Sequence, residues 1–306
     1  MIKVAVIMST YNGELYVKEQ IESILKQAEV DITLFIRDDG SRDKTIDIIE
    51  RLEKCNNKIH FMKGTNIGVG NSFMHMLYDV PDDYDYYAFS DQDDVWNQKK
   101  MYKAVEMLNN TNKQLYVSNQ KCVDENGKFI MMRYDSAPNL DPIDVLSKNR
   151  GTGCTMVFSR KFKNLLCNHN LRPSEELLKV RIHDAWVTMV GAVTQTIIYD
   201  NNAYICYRQH GNNVVGAFEP SFKDKLKEKL KTKRYTYARL TRILTSCMLG
   251  ITEKSVRKSL SQDLYLKVLA VNKDKTDLLS SLSSVSSYPL ITRKSDVIKL
   301  DGAAEE

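Results

Sequence analysis

The first ninety residues alternate between strand and helix patterns, and this alternation limits the possible folds more than any other feature of the chain. Ile2–Met8 is almost continuously apolar and rich in β-branched residues, which is typical of a buried parallel strand. Apolar residues at helical spacing follow in 15–28, and further strands are predicted at 31–37, 58–62 and 87–90. Repeated strand–helix units predict an α/β fold with a mostly parallel sheet and helices on both faces.

Polar or acidic residues recur where the first, second and fourth of these predicted strands end. The fourth strand stops at Asp91, Asp93 and Asp94. Ligands of open α/β sheets bind at the carboxyl ends of the strands, so these acids are expected at a binding site. Asp91 and Asp93 are two residues apart and can reach one hard cation, for which Mg²⁺ and Mn²⁺ are the candidates. The alternative is a solvated acidic loop in which Asp94 caps the next helix.

The composition argues against several classes of protein. The six cysteines have no paired spacing, which argues against a zinc cage or a disulfide framework and fits a reducing cytosol. No apolar stretch is long enough to span a membrane, and the N-terminus lacks a signal segment and is predicted to form the first strand. No Gly-x-Gly-x-x-Gly follows the first strand, which makes a dinucleotide site unexpected.

The composition changes near Gly216, and residues 216–300 are predicted to form a basic helical extension. Phe222, Leu226 and Leu230 recur at four-residue spacing among many lysines, which indicates a basic amphipathic helix. Association with an anionic membrane is favoured, and a solvated packing helix or a homodimer interface are the alternatives. Nucleic-acid binding is not expected, because the most basic part lacks interleaved aromatic residues. Residues 301–306 are predicted to be a disordered tail.

Several motifs in order resemble glycosyltransferase family 2, whose members are inverting enzymes with the GT-A fold. The motifs are Ser9-Thr10-Tyr11-Asn12-Gly13, Asp38-Asp39-Gly40-Ser41, Asn66-Ile67-Gly68 and Asp91-Gln92-Asp93. Three later motifs resemble a bacterial branch that builds surface polysaccharides and includes many rhamnosyltransferases: Gly151-Thr152-Gly153, His183-Asp184 and Tyr207-Arg208-Gln209-His210-Gly211. The resemblance implies a catalytic domain over 1–215, with a nucleotide-sugar part at 1–119 and an acceptor part at 120–215.

The resemblance also implies roles for the donor side. Ser9, Tyr11 and Asp39 are expected in the nucleotide-base pocket, where a carboxylate can accept the N3–H of uracil or thymine and a tyrosine ring can stack on the base. The other expected donor-side residues are Asn66, Asp91 and Arg208, and the expected ligands of Mg²⁺ or Mn²⁺ are Asp91, Asp93 and His210. Structural alternatives stay open at this point: a turn for Asp39, a helix entry for Asn66, a salt bridge for Arg208 and a structural role for His210.

On the acceptor side, Asp184 resembles the catalytic base of the family. An inverting transfer needs a carboxylate that takes the proton of the attacking hydroxyl. The alternative for Asp184 is a cap of the helix that follows it. Six further residues are expected to contact the acceptor: Trp96, Gly151, Thr152, Gly153, His183 and Trp186. Core positions are the alternative for the two tryptophans.

The resemblance implies transfer of a sugar from a nucleotide diphosphate to a lipid-linked or growing cell-surface polysaccharide. Rhamnose from dTDP-rhamnose is the first candidate donor, and UDP-hexose or UDP-N-acetylhexosamine is the alternative. A nucleotide-sugar-binding scaffold protein without activity is the alternative outside the enzymes. The expected location is the cytoplasmic face of the cell membrane, with a polyprenyl-diphosphate glycan as acceptor.

Overall fold

The computed structural model describes residues 1–141, 145, 149–168, 172–173, 175–180 and 182–210. The chain divides into two compact units. The first comprises Met1–Pro138, Gly151–Val187 and Thr196–Ala217. The second comprises Asn139–Arg150, Thr188–Gln195 and Phe218–Glu306. The predicted basic extension and tail, and the predicted domain boundary after residue 215, lie outside the described residues.

The first half of the sheet is parallel, as the alternation of patterns predicts. Its four strands lie in the order β3-β2-β1-β4, so the first strand of the chain occupies a central position. Their bounds are β1 (Ile2–Thr10), β2 (Val30–Asp38), β3 (Ile59–Lys63) and β4 (Tyr86–Ser90). The helices between them are α1 (Val17–Leu25), α2 (Thr45–Cys55) and α3 (Val69–Asp79). Because all four strands run in the same direction, their carboxyl ends lie at one edge of the sheet.

The second half of the sheet is mixed. After β4 the order continues β8-β6-β9-β5. β7 lies off this path and pairs with the end of β6, from Lys121 to Val123. The strand bounds are β5 (Val95–Trp96), β6 (Leu115–Val123), β7 (Phe129–Met132), β8 (Val157–Ser159) and β9 (Ile197–Arg208). The helices are α4 (Lys100–Asn109), α5 (Arg160–Cys167), α6 (Glu175–Val180) and α7 (His183–Val193), and a short 3-10 helix covers Gly153–Thr155. The predicted boundary at 119–120 falls within β6, and that functional division stays a prediction.

Helices pack on both faces of the parallel half, which confirms the predicted class. Val6 of β1 and its neighbour Ala88 of β4 belong to a core cluster that includes Ile21 of α1. The next residue of β4, Phe89, points to the opposite face because side chains alternate along a strand. Its ring contacts Phe73 of α3 edge-on, with 5.4 Å between the ring centroids.

One predicted boundary is wrong. The sequence pattern predicts two short strands, at 196–199 and at 203–207. These segments form the single strand β9, and the polar residues Asp200, Asn201 and Asn202 make an irregularity where the register against β6 shifts. At this irregularity the backbone N–H of Asn202 donates a hydrogen bond to Asp200 Oδ1 at 2.9 Å. The bend therefore uses the polar residues without ending the strand.

Within the second unit, the described residues include the end of α7 and its turn. The Thr194 hydroxyl donates to the Val190 carbonyl at 2.7 Å, and Gln195 adopts a positive φ of 56°. Across the described part of the chain, no helix combines the length and the apolar character that a membrane span requires.

Candidate active site

The carboxyl ends of β1 and β4 open into a cleft of about 840 Å³ within the first unit. Most of the residues predicted for the site line this cleft. They are Ser9, Tyr11, Asp39, Asn66, Asp91, Asp93, Thr152, Gly153, His183, Asp184 and His210. The cleft therefore brings together the predicted base pocket, acidic motif and catalytic aspartate, although they are far apart in the sequence.

The predicted base pocket lies between β1 and the segment after β2. Ser9 donates its hydroxyl proton to Ser72 at 2.6 Å, and Tyr11 is exposed at the rim of the cleft. Gln92 binds the backbone of Tyr11 twice, since its Oε1 accepts the Tyr11 N–H at 2.9 Å and its Nε2 donates to the Tyr11 carbonyl at 3.0 Å. The acidic motif and the base pocket are thus joined by direct hydrogen bonds.

Asp39 is held by its own protein surroundings. Its Oδ1 accepts from the Arg37 guanidinium at 2.6 Å and from the Ile67 N–H at 2.9 Å, and its Oδ2 accepts from the Gly68 N–H at 2.9 Å. A carboxylate has about four lone-pair positions, so one remains for a ligand. The geometry gives Asp39 a structural role that organises the loop after β3, and its contact with a base stays a prediction.

The neighbouring Asp38 is a structural turn residue. Its Oδ2 accepts the backbone N–H groups of Gly40 and Ser41 at 3.0 and 2.7 Å, and its Oδ1 accepts from the Thr10 hydroxyl at 3.0 Å. Gly40 has a positive φ of 84°, which glycine adopts without strain. The turn places Asp39 at the cleft.

The acidic motif directly after β4 divides into residues of different burial. Asp91 and Asp93 line the cleft, whereas Asp94 is fully buried. Burial, and then the carboxylates of Asp93 and Asp184, raise the pKa of Asp91 to about 7. Burial also raises the pKa of Asp94 well above its usual value, with Asp93 and Asp91 contributing. The motif is therefore a set of close carboxyl groups that resist being ionised at the same time.

His210 contacts the acidic motif directly. Its Nε2 lies 2.8 Å from Oδ2 of Asp93, and its ring stacks on Tyr16 with 5.3 Å between the centroids. This contact brings the last described residue of the chain to a residue in the middle of the sequence. It gives the predicted metal ligands Asp93 and His210 a common location.

The acidic cluster fits a divalent cation. Close carboxylates that repel one another are stabilised when a cation lies among them. Asp91, Asp94 and Cys154 form a group whose candidate ligand atoms all lie within 4.8 Å of one another in the described part of the chain.

Arg208 has a structural position instead of the predicted contact with the diphosphate. Its side chain is buried and does not line the cleft. The guanidinium donates to the carbonyls of Asp93 and Glu125 at 2.9 and 2.7 Å and to the Glu19 carboxylate at 2.7 Å. The salt bridge considered as an alternative is therefore present, and the side chain holds the acidic motif in place.

The two tryptophans predicted to stack on acceptor sugars are core residues. Trp96 and Trp186 are 3% and 1% exposed, and neither lines the cleft. The Lys100 ammonium lies 3.6 Å from the centroid of the Trp96 ring. Because these rings are covered by protein, they cannot offer a face to a sugar in this conformation, and the prediction is corrected.

Asp184 and His183 lie in the first turn of α7, at the wall of the cleft. His183 is buried against Phe73, with 3.9 Å between the ring centroids, and burial lowers its pKa to about 3. Gly153 packs against the same ring, since a Cβ at that position would lie 2.5 Å from His183 Nε2. Gly151 is buried beside the cleft without lining it.

Some residues of the site were not predicted. Gln92, Tyr16 and Tyr207 contact or line the cleft, and Cys154 joins the acidic cluster. Gln92 lies inside the Asp-x-Asp motif, so its position was a usable signal. The cysteine gave no signal, because a single Cys without spacing to other ligands does not indicate a site.

Comparisons with known proteins agree with this geometry. A sequence model described as Glycosyl transferase family 2 matches residues 5–166. A second model, described as HIGH Nucleotidyl Transferase, matches residues 217–304, which the structure does not describe and which make up less than a third of the chain. It carries no argument about the cleft.

Individual relatives are similar over large parts of the chain. The dTDP-rhamnosyl transferase RfbG of Shigella flexneri is 35% identical over 240 residues, which are 75% of this chain and 80% of that protein. The UDP-Glc:alpha-D-GlcNAc-diphosphoundecaprenol beta-1,3-glucosyltransferase WfgD of Escherichia coli is 29% identical over 53% of this chain and 62% of its own length.

A solved structure shares the fold. The crystal structure of S. aureus TarS 1-349 in complex with UDP-GlcNAc covers 92% of this chain and 80% of its own, with a TM-score of 0.61 and 18% identity. The sequence identity is too low to carry more than the fold. Together with the family match over more than half of the residues, these observations show that the chain belongs to glycosyl transferase family 2 and is a glycosyltransferase.

Proposed function

We propose that the protein transfers a sugar, with inversion, from a nucleotide diphosphate to a lipid-linked or growing cell-surface polysaccharide. The observation that carries this proposal is the cleft lined by Asp91, Asp93 and Asp184 together with Ser9 and Tyr11. One cavity thus offers an acidic motif for a diphosphate, a candidate base, and an aromatic and hydroxyl rim for a nucleoside.

The proposed donor is dTDP-rhamnose. It is supported by the similarity to RfbG, which extends over 80% of a protein named as a dTDP-rhamnosyl transferase. A UDP-hexose or UDP-N-acetylhexosamine donor is the second candidate, favoured by the similarity to WfgD, a UDP-Glc glucosyltransferase. The acceptor of WfgD is a diphosphoundecaprenol glycan, which supports a lipid-linked acceptor here.

In the proposed mechanism Asp184 acts as the general base. Its carboxylate takes the proton of an acceptor hydroxyl while the hydroxyl oxygen bonds to the anomeric carbon. The bond between that carbon and the diphosphate oxygen breaks on the opposite face, and the nucleotide diphosphate departs. His183 is neutral at physiological pH because burial lowers its pKa to about 3, so it adds no positive charge beside the base.

A Mg²⁺ or Mn²⁺ ion held at the acidic motif would supply positive charge that stabilises the diphosphate leaving group. Asp91, Asp93 and His210 are the proposed ligands, because all three line the cleft and His210 contacts Asp93. Thr152 and Gly153 also line the cleft and are the proposed acceptor-binding residues. The expected location is the cytoplasmic membrane face, where such an acceptor is present.

The test uses purified full-length protein with a divalent cation and a lipid-diphosphate glycan. Release of nucleotide diphosphate is measured with dTDP-rhamnose, UDP-glucose and UDP-N-acetylglucosamine. We expect dTDP-rhamnose to give the fastest transfer, and Asp184→Asn to lower the rate by about 10²–10⁴-fold because the base is lost.

Donor-induced thermal stabilisation is the control for Asp184→Asn. The variant is expected to keep this stabilisation, since Asp184 acts on the acceptor hydroxyl. Transfer by Asp184→Asn at the parent rate would show that another group is the base. Preference for a UDP-sugar would assign the second candidate donor.

A further inference from the structure

Asp91, Asp94 and Cys154 form a compact cluster beneath the cleft. Their candidate ligand atoms lie within 4.8 Å of one another, and Asp94 and Cys154 are fully buried. We propose that these three residues bind a divalent cation of the zinc class, such as Zn²⁺, Co²⁺ or Cd²⁺. This ligand set shares Asp91 with the proposed Mg²⁺ or Mn²⁺ ligands, but it has Asp94 and Cys154 in place of Asp93 and His210.

The thiol decides the class of ion. Mg²⁺ prefers oxygen ligands, whereas a sulfur ligand favours zinc-like ions, which also accept carboxylates. Zinc binds thiolate at about 2.3 Å and carboxylate oxygen at about 2.0–2.2 Å. The present separations exceed those of a closed site, so the three side chains contract slightly around a bound ion.

A second observation points to a ligand at this cluster. Oδ2 of Asp94 is buried and lacks a well-formed hydrogen bond, while Oδ1 accepts the Arg208 backbone N–H at 3.1 Å and the Cys154 thiol lies beside the carboxyl group. A buried carboxylate oxygen without a partner costs free energy that a cation can recover.

The surroundings hold the thiol in place. Gln120 Nε2 lies 3.2 Å from Cys154 Sγ, and Gln120 Oε1 accepts from the Thr152 hydroxyl at 3.3 Å. Outer groups of this kind orient metal ligands. Lys100 is buried nearby, and burial lowers its pKa to about 7; its charged form interacts with Cys154 and Asp94 and so competes electrostatically with a bound ion.

Binding releases the proton of the Cys154 thiol and any protons that the Asp91 and Asp94 carboxyl groups carry, and these protons pass to solvent. The ion also engages Asp91, which lines the cleft. Zinc is therefore expected to inhibit sugar transfer by withdrawing Asp91 from the diphosphate side. Only this consequence rests on the proposed function, because binding itself is measured without any donor or acceptor.

The experiment titrates the metal-free full-length protein with Co²⁺ under anaerobic conditions. A saturable near-ultraviolet sulfur-to-cobalt charge-transfer band at one equivalent is expected for the parent protein. Cys154→Ser is expected to lose the band. Its circular dichroism and thermal unfolding show whether the variant is folded.

Two variants serve as matched controls. Cys167→Ser removes a partly buried thiol of α5 and is expected to keep the band, as is Asp93→Asn, which removes a proposed ligand of the other ion. Lys100→Met is expected to tighten Co²⁺ binding, because a competing positive charge is lost.

Absence of the band in the parent protein, or its persistence in folded Cys154→Ser, would overturn the proposal. Loss of the band in Asp93→Asn would assign the sulfur signal to the cleft ion and would also contradict it. Weaker Co²⁺ binding in Lys100→Met would contradict the proposed electrostatic competition. Failure of sugar transfer with every donor would leave the Co²⁺ result unaffected, so the two proposals fail separately.

Discussion

At the scale of single residues, burial divides the acids of the site into different roles. Asp38 is the last residue of β2 and Asp39 is the next residue, yet Asp38 accepts the hydrogen bonds of the turn while Asp39 lines the cleft. Asp91 and Asp94 both have raised pKa values, because each is desolvated beside other carboxylates. Adjacent positions with the same chemistry therefore differ in what they can bind.

The raised pKa of Asp91 predicts how stability depends on pH. The folded protein keeps the Asp91 proton until a pH of about 7, whereas the unfolded chain loses it near 3.8. The stability that this proton contributes is present below pH 3.8 and is lost as pH rises to about 7.

We therefore expect Asp91→Asn to match the parent near pH 4. Near pH 7.5, in chelator, the variant should be more stable by on the order of 1–3 kcal/mol, since the amide cannot ionise. Denaturant unfolding at both pH values checks this. An unchanged difference across the range would contradict the shifted pKa. Added Mn²⁺ should stabilise the parent more than the variant.

The contact between Gly153 and His183 predicts a coupled pair. A Cβ on Gly153 would lie 2.5 Å from His183 Nε2, so Gly153→Ala should destabilise the protein by about 1–3 kcal/mol. In a His183→Ala background the same substitution should cost much less, because the ring is gone. Unfolding of the four proteins measures the coupling. Equal costs in both backgrounds would show that the crowding lies elsewhere.

At the scale of elements, the end of β9 supports the loop after β4. Arg208 is the last residue of β9, and its guanidinium binds the carbonyls of Asp93 and Glu125 and the carboxylate of Glu19 in α1. Three separate segments thus meet on one buried side chain. An arginine suits this position because its planar fork presents several donors at once.

Replacing Arg208 should therefore disturb the acidic motif. Arg208→Met leaves buried carbonyl groups without their donors and should cost about 2–4 kcal/mol of stability. It should also weaken Mn²⁺ binding, which electron paramagnetic resonance measures. The matched control is Lys58→Met, which removes an exposed ion pair with Asp31 and should cost under about 1 kcal/mol. Unchanged Mn²⁺ affinity in folded Arg208→Met would remove its proposed positioning role.

At the scale of the molecule, the two halves of the sheet contribute different walls of the cleft. The parallel half supplies the predicted base pocket and acidic motif at its carboxyl edge. The mixed half contributes two residues that flank its strands, Gly153 before β8 and His210 after β9, and both line the cleft. Sugar transfer needs donor and acceptor groups in contact, and the sheet order brings both sets of residues to one cavity.

The predicted basic extension leads to a test on the whole chain. Full-length protein should sediment with vesicles that contain anionic lipid and should be released by high salt, because lysine attraction to lipid is screened. A variant with Lys225, Lys227, Lys229 and Lys231 replaced by glutamate should remain in the supernatant. Sedimentation of that variant equal to the parent would exclude this segment as the membrane contact.

The sequence by itself determined the parallel strands, most of their helices and the acids that follow them. These are local signals, since apolar periodicity and turn residues act over a few positions. The tertiary structure decided which polar residues reach the cleft. Three predicted site residues are buried because strands and helices that are distant in the sequence cover them: Arg208, Trp96 and Trp186. Such long-range burial cannot be predicted from local sequence patterns.

The same reason explains why the role of Cys154 appeared only in three dimensions. Its spacing from the other cysteines indicates no metal site, yet the pairing of β4 with β8 brings the segment before β8 beside the acidic motif. Strand pairing across more than sixty residues decides this contact. Local chemistry therefore determined the elements, and long-range packing determined which of their side chains became neighbours.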